Sequence, residues 1–466
     1  MKKAFNSIVL LILLFVCDQN YAQNKQQLKF SLKEAQNYAL QNSPLVKNSK
    51  IDLQQAKQKI WETTSVGLPQ VNGKLAGSYQ LTVPENIKAF TGLSSLGSWM
   101  YEADQALYGL TGNDPKFGHI QQPAASEPTK EEDLKWGLTF DVTVSQLLFS
   151  GAYIVGLQTS KTFKKLSEIS ITKSENDLLE AVSNAYFLCV IANENKMVID
   201  SIYNNTSKIL EEIKEINKEG LIEDTDVDQM QVTLINIQNT KEMIDRQCEV
   251  ALNLLKYQMG MDIQNKIELT DNIPTLVSSL NADVLQKKLK VDEQTDYQML
   301  LVQEQMASLN VKLQKSTFLP DIAAYYNHQI NFNKKSFSFT PPDLVGLSVS
   351  VPIFGSGQKI SKVKQANLNL LKLQNSKEQL SSGLQTQFSD YRSSFMTSMN
   401  KYQTNKLSRD LAYKIYTKSL IKYKEGIISS MELSQAQNQY LQSQSNYFNS
   451  VLDMSTAYYK LEKLLK

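Results

Sequence analysis

Proline is missing from residues 129–273 and again from 353–466, and residues 157–219 hold neither proline nor glycine. These are the two strongest helix breakers, so nothing in those stretches interrupts a helix. A helix from about 152 to 219 would be on the order of 100 Å long at 1.5 Å per residue, beyond ordinary globular lengths. Histidine is nearly absent too. His119 and His328 are the only two, far apart, so no histidine metal cluster is expected. The chain has no Walker loop, no nucleophile elbow, no zinc spacing and no acid pair at catalytic spacing, so the expectation is a non-enzyme without metal or cofactor. A net charge of +2 excludes an electrostatic footprint for nucleic acid. No segment after the first residues is apolar for the roughly 20 residues that a membrane helix needs.

The N-terminus has its own signature. Lys2 and Lys3 precede an apolar run from Ile8 to Val16, and Asn20-Tyr21-Ala22-Gln23 supplies a small residue before a cut. This pattern predicts a signal peptide over 1–22 and an exported protein. Cys17 raises the alternative of lipidation. The exported chain then keeps Cys189 and Cys248, on opposite sides of Gly220. A hairpin turning there would bring them roughly together, and the compartment would permit a disulfide. Both fall in apolar helical patterns, so they read as small core residues.

Periodicity marks the helices. Val227, Met230, Leu234, Ile237, Lys241, Ile244, Cys248, Ala251 and Leu255 alternate steps of three and four. That is coiled-coil spacing, and it predicts a packing seam. Leu433, Ala436, Tyr440, Tyr447, Met454, Ala457 and Leu461 repeat it more loosely. Near the start, Ser31-Leu-Lys-Glu34 reads as a capping box, and Ser43-Pro44 restarts a helix with proline at its first position.

Four segments have period two instead. Val71, Gly73, Leu75, Gly77, Tyr79, Leu81 and Val83 alternate with polar or small residues, and Leu134, Trp136, Leu138, Phe140, Val142 and Val144 do the same. Ile322 to Phe332 alternates less cleanly, and Val345, Leu347, Val349 and Val351 form the fourth run. Such alternation in an exported protein predicts barrel strands, apolar toward lipid and polar toward a lumen. A half-buried soluble sheet would alternate in the same way. Four strands cannot close a barrel and lipid tolerates no open sheet edge, so a membrane reading requires an oligomer.

These pieces recur in order. Leu68-Pro69 and Leu319-Pro320 precede strands, while Phe149-Ser150-Gly151 and Phe354-Gly355 follow them. KEGLIEDTDVDQMQ from 218 returns as KEGIISSMELSQAQ from 424, with Asp226 aligned to Glu432 and Gln229 to Gln435. The predicted organisation is a tandem repeat. The first repeat covers 23–260, with strands near 70–83 and 134–148 and helices near 152–219 and 226–259. A connecting segment covers 261–293. The second repeat covers 294–466, with strands near 321–332 and 344–353 and helices near 356–425 and 430–465. The fold class expected is mainly α with a membrane β part.

With the opening Ser31-Leu-Lys-Glu-Ala-Gln-Asn-Tyr-Ala-Leu40, Asn42-Ser43-Pro44, the paired Leu-Pro entries, the Phe-Gly exits and the two Gly turns, the chain resembles the TolC-like outer-membrane efflux protein family. The resemblance implies a homotrimer with a shared 12-strand β-barrel in the outer membrane, a periplasmic α-helical barrel, and a mixed belt built from 261–293 and the chain ends. It implies a passive exit duct of a tripartite efflux or type I secretion system. The partners implied are a periplasmic adaptor, an inner-membrane pump and outer-membrane lipid. An exported coiled-coil structural protein without a channel is the alternative from another class.

The resemblance also implies sites. Glu219, Gly220 and Leu221, with Glu425, Gly426 and Ile427, match the adaptor-docking tips, although Glu replaces a small or apolar first residue in both. Asp226 and Tyr423 match the acidic and aromatic partners of a periplasmic gate. Ile428 stands where the family has a basic one. Glu432 matches one acidic ring of the entrance, and Gln435 replaces the other with a neutral group. Local physics offers plainer roles: Asp226 and Asp228 suit the first turn of a helix, Ser429-Ser-Met-Glu432 is a capping box, and the two glycines suit left-handed helix ends. Residues 84–133 form the longest loop.

Overall fold

A computed structural model describes residues 28–82, 99–106, 135–333 and 341–466. The leader, Cys17, His119 and all of the 84–133 loop except a helical stretch at 99–106 lie outside or at the margin of these residues. Two compact units are present, each drawn from separated stretches of chain. One comprises Lys57–Thr162 and Met306–Leu370. The other comprises Met1–Ala56, Phe163–Gln305 and Leu371–Lys466.

The first unit holds an antiparallel sheet of β2 (Gln70–Tyr79), β3 (Trp136–Phe149), β5 (Asp321–Asn331) and β6 (Asp343–Ser350), in the order β2-β3-β5-β6. Its register aligns like with like. Leu75, Phe140 and Ile330 stand side by side, as do Val144, Tyr326 and Val345, on one face. The other face carries Asn72, Thr143 and Asn327, and Thr143 donates to Asn327 at 2.8 Å. Gln329 likewise donates to Asp141 at 2.7 Å. Polar side chains thus satisfy one another across strands on one face, while the apolar face stands bare: Val71, Leu75, Tyr79, Val345, Leu347 and Val349 are all exposed. His328, a residue without an assigned role in the sequence reading, sits on that apolar face. There its Nδ1 lies 2.7 Å from Asp343, which also accepts from the Tyr326 hydroxyl at 2.6 Å. Among the described residues, β2 and β6 each leave one edge unpaired.

The second unit contains the packing core. Its short strands β1 (Leu28–Phe30) and β4 (Ile267–Leu269) pair in parallel. α1 (Leu32–Asn42) starts at the Ser31–Glu34 capping box and α2 begins at Pro44 (Pro44–Ser65), both as their sequence signals require. α3 (Gly151–Lys218) and α4 (Asp224–Met259) form one hairpin, and α7 (Gln358–Lys424) and α8 (Ser430–Leu464) the other. Between them lie α5 (Ile273–Ser279), two 3-10 turns and α6 (Thr295–Ser316). The seam residues Met230, Ile237, Ile244, Ala251 and Leu255 are buried, and so is the whole looser series from Leu433 to Leu461. Lys196–Asp245 and Lys241–Asp200 ion pairs fix the α3–α4 register.

Cys189 lies on α3 and Cys248 on α4, and no disulfide joins them. Both are free thiols, Cys189 buried and Cys248 half-buried. Burial pushes the Cys189 thiol up to about 12, so it stays protonated and unreactive.

One core polar contact ties the two-stranded sheet to α3. The Tyr186 hydroxyl lies 2.8 Å from the Phe30 carbonyl and 3.0 Å from Asp271, whose carboxylate also takes the Leu32 amide at 2.7 Å. Burial, then Asp271, raises the phenol's pKa. Removing a buried donor leaves acceptors unsatisfied, at a cost of about 1–3 kcal/mol. Tyr186→Phe is therefore expected to lower the melting temperature by a few degrees with the fold unchanged by circular dichroism. A melting temperature equal to that of the unaltered protein would contradict this.

Candidate functional site

The two echoed segments fold into the same turn. α3 ends at Lys218, and Gly220 takes φ 74°. The Gly220 amide donates to Asn217 O at 2.8 Å and the Leu221 amide reaches back to Ile216 O at 3.3 Å. α7 ends at Lys424, and Gly426 takes φ 70°. Its amide donates to Tyr423 O at 3.0 Å, and that of Ile427 to Lys422 O at 2.9 Å. This paired closure uses a left-handed residue to satisfy the last carbonyls of a helix, and glycine adopts that φ without a Cβ penalty.

The aliphatic pair after each glycine splits. Leu221 and Ile427 are 78% and 68% exposed, each standing out beside an exposed Glu219 or Glu425. Ile222 and Ile428 turn inward instead, onto a core cluster that includes Val227, Met230, Tyr423 and Leu433. Each turn therefore presents one bare apolar side chain and anchors itself with the next.

Beyond the turns, α4 and α8 begin differently. Glu223 is the N-cap of α4 but makes no side-chain cap bond, while Asp224 accepts from Asn217 at 2.9 Å. Ser429 caps α8, and the Glu432 carboxylate folds back to accept the Ser429 amide at 2.9 Å. Glu432 thus fills the capping role, and its carboxylate stays exposed together with Gln435. Asp226, in the first turn of α4, accepts a hydrogen bond from the Ser430 hydroxyl at 2.5 Å. Tyr423 lies close enough for burial, and then the Asp226 charge, to raise its phenol pKa. No hydrogen bond joins the two among the described residues. The hairpins are further linked by Thr233–Ser434 at 3.2 Å, Gln437–Thr206 at 3.3 Å and a Lys424–Glu212 contact at 3.9 Å.

The structure therefore brings Asp226, Tyr423 and Ile428 to one place and leaves Glu432 and Gln435 outside it. Sequence reasoning missed Ser430. That residue falls inside the capping-box spacer, and nothing local distinguishes it from a solvated serine.

Residues 292–465 match the family model described as outer membrane efflux protein, a span that includes the whole second turn. That match covers less than half of the chain and marks a resemblance of its second part to that family. Solved structures agree at the level of fold. The outer membrane channel CmeC of Campylobacter jejuni is 17% identical with a TM-score of 0.67, over 93% of this chain and 85% of that one. The open-state MtrE channel of Neisseria gonorrhoeae is 14% identical with a TM-score of 0.67, over 93% and 88%. VceC of Vibrio cholerae is 14% identical with a TM-score of 0.64, over 93% and 94%. No curated protein sequence matches the chain at a significant level. The likeness to these channels is one of fold, built here from long helices and a four-stranded sheet. No helix among the described residues is long and apolar enough to cross a membrane.

Proposed function

We propose that three copies of this chain form a passive exit duct through the outer membrane, with a long periplasmic extension. The observation that carries the proposal is the sheet. It has one polar face whose side chains bond each other, one bare apolar face and, among the described residues, two unpaired edges at β2 and β6. In water, such a surface is an aggregation hazard. In lipid, the apolar face is solvated by acyl chains, and the edges are satisfied when β6 of one copy pairs with β2 of the next. Three copies then supply a 12-strand barrel, and the polar face lines its lumen. A soluble coiled-coil structural protein would have to cover that apolar face.

The exposed Leu221 and Ile427, each on a left-handed glycine turn, are the proposed contacts for a periplasmic adaptor that links the duct to an inner-membrane pump. The pump supplies the energy, and the duct supplies the path. Glu219 and Glu425 beside them favour an adaptor surface with basic groups there. The gate is assigned to Asp226 and Tyr423, and the entrance ring to Glu432, with Gln435 leaving the adjacent ring neutral.

Reconstitution in planar bilayers tests this function. Purified protein is expected to give discrete channels. Protein that assembles but conducts nothing, whatever its gate variant, would overturn the duct.

The ring makes its own prediction. Threefold symmetry places three Glu432 carboxylates around one axis, where like charges attract a divalent cation. Glu432→Gln keeps an acceptor for the Ser429 amide while removing the charge. It is expected to reduce divalent-cation block of single-channel current by about tenfold, the scale of one unit-charge interaction of about 1.4 kcal/mol. Equal block in both proteins would reject the ring.

A further inference from the structure

We propose that Ser430 is the residue that holds the mouth of this duct closed, by latching Asp226 across the two hairpins of one subunit. The inference rests on the gate reading given above and supplies the partner that reading lacks. Where the family has a basic residue, this chain has Ile428, and Ile428 is packed into the hairpin core. No cation can therefore reach Asp226 from that position.

The Ser430 hydroxyl takes its place. Ser430 is 3% exposed, and its Oγ donates to Asp226 Oδ1 at 2.5 Å, from a residue 204 positions away in the chain. The geometry suits a latch. Ser429 already caps α8, so the hydroxyl of Ser430 is not needed for its own helix. Asp226 lies in the first turn of α4, and the bond joins the beginnings of two helices, where amide dipoles favour a carboxylate. Thr233–Ser434 repeats a hydroxyl link farther along the same two helices. Tyr423 packs on the adjoining apolar cluster, near enough for the Asp226 charge to act on its phenol.

A neutral donor changes the physics of closure. A salt bridge between exposed tips weakens as ionic strength rises, whereas a hydroxyl–carboxylate bond in a half-buried seam is screened much less. The latch also lies within one subunit, so closing the mouth means holding each subunit's hairpins together.

The test is single-channel recording on assembled trimers. Ser430→Ala is expected to raise open probability about tenfold, the effect of losing one hydrogen bond to a charged group. Ser430→Thr is expected to keep the closed state. Asp226→Ala is expected to open the channel equally, and the double variant no further, because both remove the same bond. If Asp226→Ala opens the channel and Ser430→Ala does not, the latch is overturned while the gate stands. If neither opens it, the gate reading falls as well. Should Ser430→Ala fail to assemble, a salt series on the unaltered protein decides. Open probability that is constant between about 0.1 and 1 M salt supports the latch, and opening that rises with salt overturns it.

Discussion

Phe140→Lys abolishes assembly in the outer membrane, and Thr139→Lys leaves it intact. This is the expected result for neighbouring residues on the central strand β3 that face opposite ways. Phe140 lies between Leu75 and Ile330 on the apolar face, while Thr139 lies between Ala76 and Asn331 on the polar one. A lysine on the lipid side near the middle of a barrel strand costs about 2–4 kcal/mol, and a trimer carries the substitution three times. On the lumen side the same charge stays hydrated. Heat-modifiable trimers on gels of outer-membrane fractions read the difference. Assembly of both variants, or of neither, would mean that the sheet does not face lipid as argued.

The second large effect is at the turns. Gly220→Val and Gly426→Val are each expected to reduce export to the level of a strain lacking the gene, while trimer yield is unchanged. Nothing lies within 4 Å of a Cβ built on either glycine, so the added atoms meet no steric clash. The cost is local, about 1–2 kcal/mol for a left-handed L-residue, and higher for a β-branched one. A hairpin end with that much strain refolds its last turn and displaces Leu221 or Ile427, but the coiled-coil core below is untouched. Accumulation of a pump substrate in cells measures the loss. Export equal to that of the unaltered protein would remove these turns from the docking surface.

Much of the fold class was legible because it is written in local periods. In α4 the three-four spacing from Val227 to Leu255 marks residues that the structure buries or half-buries, since a helix face repeats within a few residues. The sheet strands were readable for the same reason. In β6 the alternation runs on to Val351, but pairing stops at Ser350, next to Pro352, which has no amide to donate. The parallel pair β1–β4 was not legible in residues: three residues are too few to show a period, and the partners lie far apart in sequence.

The site divides along the same line. The two glycine turns are local, and the capping box at Ser429–Glu432 is local, so both were readable. The Ser430–Asp226 bond depends on the α4–α8 packing, and no spacing encodes it. The cysteines make the complementary point. Counting from Gly220 suggests rough proximity, but only the folded hairpin shows that both thiols stay free.

The central claim is that this chain is a trimeric outer-membrane channel. The most direct measurement is the state of the native protein after cell fractionation, with its mass determined in detergent. The account predicts that it is released from outer membranes only by detergent, as a particle of three chains that heat dissociates. A monomer in the soluble periplasmic fraction would contradict it.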